Sequence, residues 1–275
     1  MPIWLYEVPP LVTAIVMVVF VEALSLIGLF LARRFVLPRF QYGDGINDAV
    51  SGTVQAIGVF YGITVGLIAV GVWNTNAAAS DLVSREASAV GGLYRDVSGM
   101  PSPLREELSG KLRDYLDVVI NQEWPQQKKG KVPQAGTLIL NDFQMKLFAY
   151  EPETPGRIEL HSETLHAFNV LADARRLRLN AVSSGLSGTM WGVIWVGAII
   201  SIGVAYLFNI QDAKMHVVLI ALMGGFLAIV LFMICINDKP FYGTVSVAPE
   251  PFQLLSDRIH TLANQAPVKT DSSSK

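Results

Sequence analysis

The residue that asks most of its surroundings is Glu22, set inside the apolar run from Leu11 to Ala32 with Ser25 close behind it on the same helical face. An ionised carboxylate at the centre of hydrocarbon costs from about 2.5 to well over 10 kcal/mol, so Glu22 must be protonated, paired or wetted. Two roles meet that demand: movement of protons or ions, and a hydrogen bond between helices. A second cluster, Arg175, Arg176 and Arg178, stands shortly before a later apolar run. Three guanidiniums there can bind lipid phosphates or concentrate anions at an entrance, or they can be ordinary topology-setting charge. Arg175 falls on the apolar stripe of its own helix and so needs a carboxylate partner or a water-filled vestibule. Gly58, Gly62 and Gly66 recur at four-residue spacing, where absent side chains let another backbone approach closely. Packing within the chain is the first reading of that face; a subunit interface or a narrow pore wall is the second.

Signs of catalysis are sparse. Glu163 and His166 make a single Glu-x-x-His step, whereas a di-iron bundle uses such a step twice with further carboxylates. Asp44, Asn47 and Asp48 lack the spacing of a calcium loop and suit turns and helix starts. Cys235 is the single cysteine, so no disulfide or thiolate metal site forms within one chain. We expect no catalytic residue, no metal site and no cofactor, hence no enzyme. The net charge of −2 offers no basic footprint for nucleic acid.

The elements that position these residues follow from the distribution of apolar side chains. Of 275 residues, 51% are hydrophobic and 16% charged, a skew away from soluble domains, and the apolar residues gather in long runs. Runs at about 11–32, 56–73, 190–208 and 217–236 approach the length that crosses a bilayer, at about 1.5 Å per residue. Ile46 to Gln55 would supply first turns for the second run. Trp4 and Tyr6 before the first run, Arg33 and Arg34 after it, and Trp191 and Trp195 in the third suit the two interfaces. The N-terminus lacks the basic flank of a signal peptide, so the first run reads as a retained helix.

The expected fold is therefore an all-α integral membrane protein, with four transmembrane helices in two hairpins (residues 1–74 and 188–237). Between them a helical soluble domain, 75–187, is expected in the cytoplasm, and 238–275 form a C-terminal segment with a disordered tail. Within the soluble domain, Val83, Ala87, Val90, Tyr94 and Val97 make one apolar stripe, and Leu104, Leu108, Leu112, Tyr115 and Val119 a second. The second helix is expected to be capped at Ser102-Pro103. Gln122 to Gln134 reads as a loop, and a shorter helix covers Leu138 to Phe148. A long pattern through Leu165, Phe168, Ala172, Arg175, Leu179, Val182 and Leu186 is expected to run straight into the third membrane segment. Near-membrane lysines and arginines almost cancel between the two faces; termini inside is the preferred orientation.

Taken as a set, Tyr42-Gly43-Asp44, Asn47-Asp48, Gly52, Phe60-Tyr61-Gly62, Gly66-Leu67-Ile68-Ala69-Val70, Trp73, Glu86 and Leu93-Tyr94-Arg95 are informative. With Asp238, Pro240, Phe241 and Gly243 beyond the fourth run, the chain resembles a bacterial bestrophin-like membrane-protein family, distantly like bestrophin anion channels. The resemblance implies four membrane helices per subunit, a helical cytoplasmic domain, and a ring of subunits around an axial anion pore whose neck comes from the second helix. Here that neck would be Phe60 and Ile63, or Ile57, Thr64 and Ile68. Tyr242 interrupts the Pro-Phe-Gly motif and no acidic cluster follows, so calcium gating does not carry over.

The expected function is thus an oligomeric channel for small anions in the inner (plasma) membrane, with lipid and further copies of the chain as partners. A non-conducting scaffold recruiting proteins through its helical domain is the rival, and a proton-coupled transporter using Glu22 the third reading. No internal repeat of the kind common in transporters relates the hairpins.

Overall fold

The structure is a computed structural model that describes residues 4–39 and 45–265. Tyr42, Gly43, Asp44 and the tail from Ala266, in which disorder is expected, lie outside the described residues. Those described form helices and no strand: α1 (Trp4–Glu7), α2 (Pro10–Leu31), α3 (Ile46–Ser98), α4 (Leu104–Val118), α5 (Trp124–Gln127), α6 (Ala135–Phe148), α7 (Pro155–Val182), α8 (Gly188–Ala205), α9 (Ala213–Asn237) and α10 (Glu250–Gln265). Helices α2, α3, α8 and α9 are long and apolar enough to cross a membrane.

The chain divides into two compact units, one of residues 1–77 with 184–246 and one of residues 78–183 with 247–275. Helix α3 contributes to both. Its 53 residues merge the second apolar run with the stripe that begins at Val83, because no proline and no turn sequence falls between them.

In the first unit the most extensive helix pairing is between α2 and α9. Met17 and Val21 pack into a shared cluster with Ala228, Leu231 and Ile234, joined by Val65 and Val72 of α3 and Ile194 of α8. The Tyr61 hydroxyl donates to the Ile194 carbonyl at 3.0 Å, and Gly197 leaves the space that the Tyr61 ring occupies. The Tyr206 hydroxyl donates to the Ser25 carbonyl at 2.8 Å. In a bilayer, where lipid is as apolar as these side chains, close fit and such hydrogen bonds would take the place of escape from water in holding the helices together.

The expectation that α7 runs into α8 fails. Helix α7 stops at Val182, and α8 starts afresh at Gly188, where the Ser187 side chain caps the Met190 amide. Asp238 explains the break. Its carboxylate accepts from the Leu186 amide at 2.5 Å and from the Trp191 indole and Tyr6 hydroxyl at 3.2 Å each. Trp191 and Tyr6, expected at the lipid interface, are thus tied inward. Gly243 adopts φ +71° beside the Tyr6 carbonyl, a backbone that a side chain would strain and a place where it would collide.

In the second unit both expected stripes are interior: Val83, Val90, Val97, Leu108, Leu112, Tyr115 and Val119 are fully buried. Ser102 does not cap a backbone amide; its hydroxyl donates to the Glu106 carboxylate at 2.9 Å. The expected loop at Gln122 begins too early, since α4 continues through a π-helical turn, Val119–Glu123, into α5. Proline is tolerated in the first turn of a helix, which is where Pro125 stands. Helix α10, absent from the sequence reading, buries Phe252 and Ile259.

Candidate functional site

Three arrangements carry chemistry. The first is the outer surface of the α3 span. Gly58, Gly62 and Gly66 have nothing within 4 Å of where a side chain would begin. Packing within the chain, the first reading of this face, is therefore not what these glycines serve. Close packing inside the unit uses others: Gly197 against Tyr61, Gly28 against Tyr206, and Gly224 against Ser25 and Glu22. On other sides of α3, Phe60 is 73% and Ile63 57% exposed. Of the four candidate spans, α3 is the least covered by its own chain: 11% of its apolar window is buried, against 22% to 33% in the others.

The second arrangement is the notch that holds Glu22. Its carboxylate lies against Gly224 and Gly225 of α9, where a side chain at either position would meet its oxygens. Ser25 is buried beside it and spends its hydroxyl on the Val21 carbonyl at 2.8 Å. Glu22 Oε2 is buried without a hydrogen-bond partner among the described residues. The two residues expected to share a face do so, against a wall of glycine backbone.

The third is a buried ion-pair network in the second unit, in which Arg175 Nε and Arg178 Nη1 have no hydrogen-bond partner among the described residues. Arg175 donates to both oxygens of Glu123, at 2.7 and 2.8 Å, to the Tyr115 hydroxyl at 3.2 Å and to Thr137 at 3.3 Å. Arg178 donates to both oxygens of Glu86, at 2.5 and 3.1 Å, and stands 3.6 Å from Glu123. The Tyr115 hydroxyl donates to Glu86, and the Gly136 amide to Glu123 at 2.7 Å. The Arg178 guanidinium also lies over the rings of Trp124 and Phe252, at 5.4 and 5.6 Å. Planar guanidiniums meet carboxylates through paired hydrogen bonds, the strongest neutralisation a dry interior offers.

For Glu123, Arg175 and Arg178, burial works against the charge and the partners overrule it. Glu123 would be raised by burial, yet the Arg175 hydrogen bonds and nearby positive charge hold it below the usual carboxylate range. Arg175 and Arg178 would be lowered by burial, yet Glu123 and Glu86 respectively hold them above the usual guanidinium range. Tyr115 is pushed up, first by burial and then by the Glu86 carboxylate.

The vestibule reading of Arg175 thus gives way to the carboxylate partner, and Arg178, fully buried, is likewise spent inside the unit. Of the three arginines only Arg176 keeps an exposed side chain, paired at the surface with Asp173 at 3.0 Å. Sequence reasoning named neither Glu123 nor the pairing of Glu86. The available signal was a buried-stripe arginine demanding an acid, but the acids lie 52 and 92 positions away along the chain.

A family model described as Bestrophin-like domain matches residues 19–252. No curated protein and no solved structure matches the chain.

Proposed function

Because the chain belongs to the bestrophin-like domain family, we propose that it works as a homo-oligomer in the inner (plasma) membrane and passes small anions along a pore to which α3 contributes. Its four apolar helices cross the bilayer as two hairpins, with both termini and the second unit in the cytoplasm.

The observation that carries this reading is the uncovered α3 face. A helix that met only lipid would gain nothing from three glycines in register, since small residues matter where a second backbone comes close. Among the described residues of one chain no backbone does so at Gly58, Gly62 or Gly66. At about 100° per residue, Phe60, Ile63 and Leu67 form a ridge on a different side of the helix at similar depth. A ridge and a groove on one helix suit copies packed head to tail, an arrangement that makes a ring when the rotation from copy to copy closes. Phe60 and Ile63 then line the lumen or pack beside the glycines of the next copy.

Purified protein in planar bilayers with a chloride gradient tests the proposal. We expect chloride current that Gly62→Leu removes together with the oligomer. A stable oligomer passing no current at any pH or ion gradient would reject conduction.

Two other readings each have one observation in their favour. The second unit holds a groove of about 720 Å³ between α3 and α10, lined in part by Tyr94, Arg95, Leu254 and Arg258, which suits a scaffold that recruits a protein segment. The unpartnered oxygen of Glu22 suits a proton-coupled transporter. A current insensitive to Glu22→Gln and to a pH gradient would dispose of the latter.

A further inference from the structure

Along the last turns of α2 and the start of α9, the first unit contains a cavity of about 450 Å³. Leu26, Phe30 and Val217 form its apolar wall, and Arg33 and Arg34 stand at one end. Both arginines belong to a π-helical turn, Ala32–Val36, whose wider winding shifts the register of the side chains it carries. Arg33 turns inward. Its Nη1 donates to the Ile210 carbonyl at 3.3 Å and to His216 Nδ1 at 3.1 Å. A guanidinium only donates, so Nδ1 must accept and the ring hydrogen sits on Nε2, 3.4 Å from the Ala205 carbonyl. These contacts fix Arg33 through a single nitrogen and leave its other donors without a partner among the described residues. Arg34 is exposed, and no carboxylate pairs with either arginine among the described residues.

We propose that this cavity is a binding site for an anionic phospholipid, its phosphate held by Arg33 and Arg34 and the start of an acyl chain lying along Leu26, Phe30 and Val217. The occupant follows from the two halves of the site. Guanidiniums that meet no carboxylate among the described residues, at the end of an apolar slot, call for a ligand that is anionic at one end and hydrocarbon at the other. A free anion would leave the apolar wall unused, and a neutral lipid would leave two charges unmatched. Guanidiniums meet phosphate oxygens through paired, charge-assisted hydrogen bonds, which gives such an end its preference for a phosphate head group in either leaflet. The site rests on the proposal that the first unit lies in a bilayer, and does not depend on conduction.

Native mass spectrometry of the full chain in mild detergent, titrated with phosphatidylglycerol or phosphatidylcholine, tests it. Wild type should retain phosphatidylglycerol over phosphatidylcholine, and Arg34→Gln should weaken that retention about fivefold, the loss expected for one basic residue at a lipid surface. Arg34 is exposed, so the substitution leaves the interior untouched. Leu26→Trp, which fills the slot while keeping both arginines, should abolish retention. Glycerol 3-phosphate should not compete. Equal retention of the two lipids, unchanged retention in Arg34→Gln, or displacement by glycerol 3-phosphate would each overturn the proposal. Because the readout is bound lipid, a protein that binds phosphatidylglycerol but carries no current would reject the channel and leave this site standing.

Discussion

Individual side chains in the second unit behave opposite to their hydrophobicity, and the reason is pairing. Leu177 is 48% exposed while Arg178 beside it is fully buried. Of the sequence stripe Leu165, Phe168, Ala172, Arg175, Leu179, Val182 and Leu186, the residues Phe168, Arg175 and Val182 are interior, while Thr164, Leu171 and Arg178 are buried where Leu165, Ala172 and Leu179 were expected. An apolar-periodicity argument places a leucine inward by default; it cannot know that Glu86 and Glu123 arrive from other helices to neutralise an arginine. Removing one member leaves the other buried and unpaired, so Glu123→Gln should cost about 3–5 kcal/mol, read by chemical denaturation of the full chain in detergent. A loss below the scatter of that measurement would mean that water reaches the network. The acid response has a defined sign. Glu123 is held below the ordinary glutamate value of 4.5, so its contribution is complete above that pH and is lost as pH falls through the lowered value. Amide exchange in α4 and α7 should accelerate only under that acid condition.

At the scale of elements, length and continuous hydrophobicity were enough to place α2, α8 and α9 close to their observed limits, because a span announces itself within its own residues. What sequence could not supply was which glycines pack against what. The small residues of α9 and α8 meet Glu22, Ser25 and Tyr61, whereas the more regular series on α3 meets nothing among the described residues of its own chain. The contrast yields opposite expectations for equivalent changes. Gly197→Leu should destabilise the isolated subunit by displacing the Tyr61 ring, whereas Gly62→Leu should leave subunit stability unchanged and dissociate the oligomer on native gels. Equal loss of thermal stability in both variants would mean that the two faces do the same work. Helix α10 was missed although Phe252, Leu255 and Ile259 recur at helical spacing, because the surrounding residues from Lys239 to Pro251 are rich in turn formers.

At the scale of the whole molecule, conduction requires copies of the chain to cover what one copy leaves open. The resemblance in sequence pointed to a ring and a pore, and the family match over residues 19–252 places the chain among bestrophin-like domains. The register of any neck was illegible, since Phe60, Ile63, Ile57, Thr64 and Ile68 all fit a pore-lining helix and only neighbours decide among them. Glu22 belongs to this scale as well. If it serves as a neutral group in its glycine notch, Glu22→Gln should preserve assembly, and loss of the oligomer on native gels would reject that role. The most direct measurement introduces a single cysteine at Phe60 or Ile63 and records chloride current in planar bilayers while a charged, water-soluble thiol reagent is added. The native Cys235 is buried and should stay silent. Rapid block at one or both positions is the expected result; unmodified current at every exposed position of the α3 span, or no current from the intact oligomer, would contradict the account.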